Sequence, residues 1–95
     1  MTDLQCPASA VLLDEDAAAP AWLARLPVAG RFRANGRRAI IELVDDTADQ
    51  YRGETFVVTA PQKELLAALA CHGIYSPPPL LVDVDASGWR SAPHP

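Results

Sequence analysis

The chain has 95 residues, 49% of them hydrophobic and 21% charged, with eight basic against twelve acidic side chains and a net charge of −4. Area scaling at this length predicts burial of roughly 64% of the unfolded surface, which suffices for one small two-layer domain and not for a second core. This composition excludes disorder of the whole chain, and the negative balance weighs against nucleic acid as a partner of the domain as a whole.

The longest apolar stretches, residues 65–71 and 77–82, fall far short of the roughly 18 residues that a membrane span needs. The first residues lack the basic and continuous apolar segments of a secretory signal. The two cysteines, Cys6 and Cys71, show no C-x-x-C spacing for zinc or redox chemistry. The expectation is a cytoplasmic protein with two free thiols and no cofactor.

In chain order, residues 1–8 read as a loose lead-in containing Pro7. Residues 8–13, with Val11, Leu12 and Leu13, read as a first strand ended by Asp14, Glu15 and Asp16. Residues 17–26 place Trp22, Leu23 and Leu26 at helical spacing, with Pro20 tolerated in the first turn and Pro27 as the stop. Asn35-Gly36 lies between two strand-like runs and is a preferred two-residue hairpin turn, so residues 31–44 are expected to form a β-hairpin. Its register puts Phe32, Ala34, Ala39, Ile41 and Leu43 on the core face and sets Arg33 opposite Arg38. Ile40 and Val44 then fall on the outer face with Arg31, Arg33, Arg38 and Glu42.

A loop is expected over residues 45–53, then a strand over 54–59 on Phe56, Val57 and Val58, antiparallel to the hairpin arm. Thr59 and Gln62 have the spacing of a capping box for a second helix, and Pro61 equally suits a helix start. Leu65, Leu66 and Leu69 form its buried stripe. Gly73 reads as its left-handed terminator, with Ile74 folding back. Residues 75–79 make an extended connector, residues 80–84 the last strand, residues 85–88 a turn, and the tail frays after Arg90.

The predicted class is α+β: a single domain over 1–95 with an ordered core of about 8–90, a mainly antiparallel sheet and two helices on one face. The order β-α-β-β-β-α-β suggests a ferredoxin-like split βαβ arrangement with an added strand; a three-stranded meander over 31–59 is the runner-up.

Five arginines, at 25, 31, 33, 37 and 38, fall in a segment without any acid, so residues 25–38 carry +5 and the remainder −9. Arginine forks bind carboxylates and phosphates bidentately, which makes Arg31, Arg33, Arg37 and Arg38 the candidate contact surface, joined by Trp89 as an aromatic anchor. Internal pairing with Glu42, Asp45, Asp46 or the acids at 14–16 is the structural alternative, and it is the commoner fate of surface charge.

Asp83, Asp85 and Ser87 ahead of Gly88 match the first half of a calcium loop. However, His94 occupies the twelfth position and a strand precedes the motif, so an Asp/Ser/Gly turn is the ordinary explanation. Cys71 and His72 are adjacent on a helix and diverge by about 100°, which rules out a nucleophile–base pair. No phosphate-binding loop, dinucleotide fingerprint, nucleophile elbow or H-E-x-x-H is present.

The expected function is a small non-enzymatic protein-binding, adaptor or regulatory module that turns its arginines toward an acidic protein partner. A homodimer is compatible with it. Binding of nucleic acid or a phosphate ligand through the same segment is one alternative. A metal- or ligand-binding regulatory domain built on the acidic loops is the other.

Overall fold

A computed structural model describes residues 6–93. It contains strands β1 (Ala8–Asp14), β2 (Val28–Arg33), β3 (Thr55–Ala60), β4 (Leu80–Asp85) and β5 (Gly88–Ala92), with helices α1 (Arg37–Gln50) and α2 (Gln62–Ala70) and a 3-10 turn at Ala21–Arg25. The sheet runs β2-β3-β1-β4-β5. β2, β3 and β1 are mutually parallel, whereas β4 and β5 are antiparallel to their neighbours. The protein is therefore an α+β domain with an open mixed sheet. Neither the mainly antiparallel sheet nor the split βαβ order nor the meander is what forms.

The largest departure from the sequence reading is at residues 31–50. Instead of a hairpin there is a strand, a turn and a helix. Ile40, Val44, Thr47 and Ala48 are buried, a spacing of four, three and one that follows a helical stripe. Ile40 and Val44, assigned to an outer strand face, are fully buried, and Ala39 is exposed instead. The helix continues through the aspartates at 45, 46 and 49, where a loop was expected, because these lie on its solvent side. Residues 34–36 link β2 to α1, and Gly36, with φ of 101°, supplies the left-handed step just before the helix. Arg33 faces Thr59 of β3, and not Arg38.

Chain direction explains the strand order. β1 reaches β2 through the 3-10 turn over one sheet face, and β2 returns through α1 to β3 over the other. Crossovers of one hand that run in opposite directions must use opposite faces. On the helix side, Ala10, Leu12, Phe56, Val58 and Val82 pack against Ile40, Val44, Leu65 and Leu69. On the other side, Val11, Val57 and Leu81 pack against Leu23, with Trp22, Leu26 and Val28 at the margin. Burial on both faces accounts for the continuous apolar runs Val11-Leu12-Leu13 and Phe56-Val57-Val58. Each fully buried aliphatic or aromatic side chain among these contributes about 1.5–3 kcal/mol.

The remaining elements depart less. The helix expected over 17–26 is one short 3-10 turn that follows Pro20. α2 starts after Pro61 with no side-chain cap, so the capping box does not form. Leu65 and Leu69 are buried, whereas Leu66 is exposed. Gly73 has φ of 75° and the Ile74 N–H donates back to the Leu69 carbonyl, the expected helix ending. The tail does not fray at Arg90: β5 carries it to Ala92, paired with β4. The lead-in expected over 1–8 lies outside the described residues up to position 5, as does His94.

Candidate interaction surface

β2 is an edge strand, and it delivers Arg31 and Arg33 to the face opposite α1 and α2. Arg31 sits level with Val57 and Arg33 with Thr59, so both arginines stand beside the far-face cluster. A cleft of about 400 Å³ runs along Arg31, Phe32, Arg33, Val57 and Thr59. A second cleft, of about 250 Å³, continues from Arg33 to Ala34, Asn35 and Glu15. Arg33 belongs to both.

Three arrangements around these arginines matter. Arg33 lies 3.8 Å from Glu15 with 76% of its side chain exposed, a long and solvated pair of little energetic weight. Arg31, Arg37 and Arg38 make no ion pair among the described residues. Arg37 and Arg38 occupy the first turn of α1, which contains no acid and whose N-cap, Gly36, has no side chain to offer. The nearest acid on α1, Glu42, is four residues after Arg38, the weaker orientation for a helical pair. Glu64 of α2 instead accepts a hydrogen bond from the Gly36 N–H and so fixes the start of α1 against the start of α2.

The structure thus brings Arg31 and Arg33 together on one face of one strand. Arg37 and Arg38 follow one turn later at the start of α1, where they line a third cleft of about 290 Å³ with Ile41, Glu42 and Cys71. Arg25 is apart from them, exposed at the end of the 3-10 turn.

Trp89 takes a different place from the one its sequence position suggested. It lies in β5, is only 5% exposed, and belongs to the core on the helix side. Its indole Nε1 donates to Asp45 Oδ1 at 2.8 Å, and the His72 ring stacks on it at 3.9 Å with an interplanar angle of 2°. His72 Nδ1 is 3.1 Å from the Ala68 carbonyl. A carbonyl only accepts, so Nδ1 is the donor in this contact. His72 and Trp89 line a cleft of about 260 Å³ with Asp45, Asp49, Arg52 and Asp85. Cys71 lines the cleft beside Arg37 and Arg38 instead, so the adjacent Cys71 and His72 serve different surfaces. The pattern that could have placed Trp89 in sequence is short: an Asp/Ser/Gly turn followed by five residues of strand.

Of the calcium candidates, Asp85 and Ser87 belong to the β4–β5 turn and Asp83 lies within β4. Asp85 Oδ1 accepts from the Ser87 N–H and hydroxyl, both at 2.8 Å, and Asp85 Oδ2 accepts from Arg90 at 2.7 Å. The Arg90 guanidinium first, then the Ser87 hydroxyl and N–H, lower the Asp85 carboxyl to a pKa of about 2. Asp83 accepts from the Ser9 hydroxyl at 3.3 Å. These oxygens are spent on the β4–β5 turn and on β1, and no group of three acidic, histidine or cysteine ligands gathers among the described residues. No described helix is long and apolar enough to cross a membrane. Both cysteines are exposed and free.

Comparison with known proteins gives no further guide: no family model, no curated protein and no solved structure matches this chain.

Proposed function

We propose that this chain is a non-enzymatic binding module that engages an acidic partner protein through Arg31, Arg33, Arg37 and Arg38. One observation carries the proposal: three of these four arginines have no internal ion pair among the described residues, and the fourth has only a long one, in a chain with twelve acids. Cations at a helix amino end are electrostatically misplaced unless something negative meets them. Guanidinium forks suit carboxylate oxygens, and the clefts along β2 give such a partner a surface to follow. The exposed thiols at Cys6 and Cys71 suit a reducing cytoplasm as the place of action.

The test compares a 20-residue glutamate-rich peptide with a 20-nucleotide single strand at physiological salt. The peptide is expected to bind, and Arg33→Glu with Arg38→Glu to weaken it by about tenfold or more, the scale of losing charge-assisted hydrogen bonds. Equal binding by the double variant overturns the placement of the surface. Tighter binding of the oligonucleotide with a steep salt dependence overturns the choice of a protein partner.

A further inference from the structure

We infer that the acidic partner docks as an additional β-strand, antiparallel along the free edge of β2, with carboxylates two residues apart opposite Arg31 and Arg33. This rests on the proposed function and specifies the form of its partner.

The backbone supplies the first ground. The Ala34 N–H donates to the Thr59 carbonyl at 3.1 Å, toward β3. Successive residues of an extended strand direct their N–H and C=O groups to alternate sides, so the backbone groups of Arg31 and Arg33 point away from β3. No other strand takes up that edge among the described residues. The regular register from Gly30 to Arg33 is also the part of β2 beyond its bulge, which lies between Val28 and Gly30. Bulges disrupt edge pairing where they occur. The open length is therefore centred on the two arginines.

Side chains supply the second ground. Opposite residues of an antiparallel pair share a face, so acids facing Arg31 and Arg33 would lie over the far-face cleft with Val57 and Thr59. The residue between those acids would stand on the other face beside Phe32. Phe32 sits at the margin of the helix-side core and meets Tyr51 and Phe56 edge-on, with ring centroids at 6.0 and 6.2 Å. The segment recognised is thus acidic–apolar–acidic. A second copy of this chain is the poorer occupant, because antiparallel pairing of β2 with itself sets arginine against arginine.

The probe is a capped, dye-labelled peptide with a Glu-Val-Glu centre, titrated against the whole protein by fluorescence anisotropy. N-methylation of both glutamate amides removes the two N–H groups that face β2 and leaves the charges. N-methylation of the valine amide touches only an N–H that faces outward. The first is expected to weaken binding by about tenfold or more, and the second by less than about twofold. Amide exchange at Arg31 and Arg33 should slow when the unmodified peptide binds.

If the doubly methylated peptide binds as well as the parent while Arg31→Glu with Arg33→Glu still weakens both, strand addition is overturned and the acidic-partner proposal stands. If the parent peptide fails to bind at millimolar protein, or binds the Arg31→Glu, Arg33→Glu protein equally well, both are overturned.

Discussion

Arg37 and Arg38 lie where a helix is least hospitable to cations. The amino end of α1 carries a partial positive charge, its own first turn holds no acid, and Glu64 of α2 meets it only at the Gly36 N–H. Replacing both with glutamine keeps a good helix former and removes the charge. The expected outcome is a gain of about 0.3–1 kcal/mol in urea unfolding at low salt, together with weaker binding of an acidic peptide. A loss of stability would mean that the arginines serve the fold. The Asp85 carboxyl poses the opposite case, a charge fully used inside the chain. Its pKa of about 2 lies below the ordinary 3.8, so its ionised form favours the folded state. That contribution is present above about pH 4 and is lost as pH falls through about 2. Because Arg90 is the largest cause, Arg90→Ala should raise the carboxyl titration midpoint toward 3.8 in an NMR pH titration. Ser87→Ala should raise it less.

At the scale of elements, the critical test separates helix from hairpin over residues 37–44. A helix buries Ile40 and Val44 completely and leaves Ile41 and Leu43 half-buried; a hairpin does the reverse. Ile40→Ala is expected to cost about 2–5 kcal/mol in chemical denaturation, and Ile41→Ala clearly less. The reverse order would refute α1. This segment also shows why part of the fold was legible in sequence and part was not. β1, β3 and β4 stand on apolar runs flanked by turn residues, and Gly73 closes the turn that follows α2, so local chemistry marks all four. Asn35-Gly36 carries a strong local hairpin signal, and the alternation on either side agrees with it over eight residues. The competing stripe, Ile40, Val44, Thr47 and Ala48, becomes visible only when the window extends into the aspartates, whose charge suggested a loop. Parallel pairing of β2 with β3 needs a crossover helix between them, and that requirement is tertiary. The arginines were legible as a charged segment. Their division between an edge strand and a helix start is hidden by the hairpin signal of Asn35-Gly36, and the partnership of Trp89 with Asp45 joins residues 44 positions apart.

For the whole molecule, the sign of the charge depends on the distance from which it is felt. The protein carries −4 overall, yet its proposed contact surface is positive. Its dimensions are about 41 × 28 × 20 Å. At an ionic strength of 0.01 M the Debye length is about 30 Å, so an acidic partner approaching from any side senses the net negative charge and is repelled. At 0.15 M the length shrinks to about 8 Å, shorter than any half-dimension of the protein, and the partner near β2 senses the arginines alone. At 1 M, about 3 Å, even these are screened. Association with a glutamate-rich peptide should therefore pass through a maximum near physiological salt instead of falling steadily from the lowest salt. Replacing Arg31, Arg33, Arg37 and Arg38 with glutamine removes the local attraction and takes the net charge from −4 to −8. Only repulsion is then left to screen, so association of that variant should be slower and should rise with salt throughout. Stopped-flow association rates across this range distinguish the two profiles. A monotonic fall for the native protein would mean that the arginines dominate the field at every distance. Matching profiles for the two proteins would remove β2 and the start of α1 from the encounter altogether.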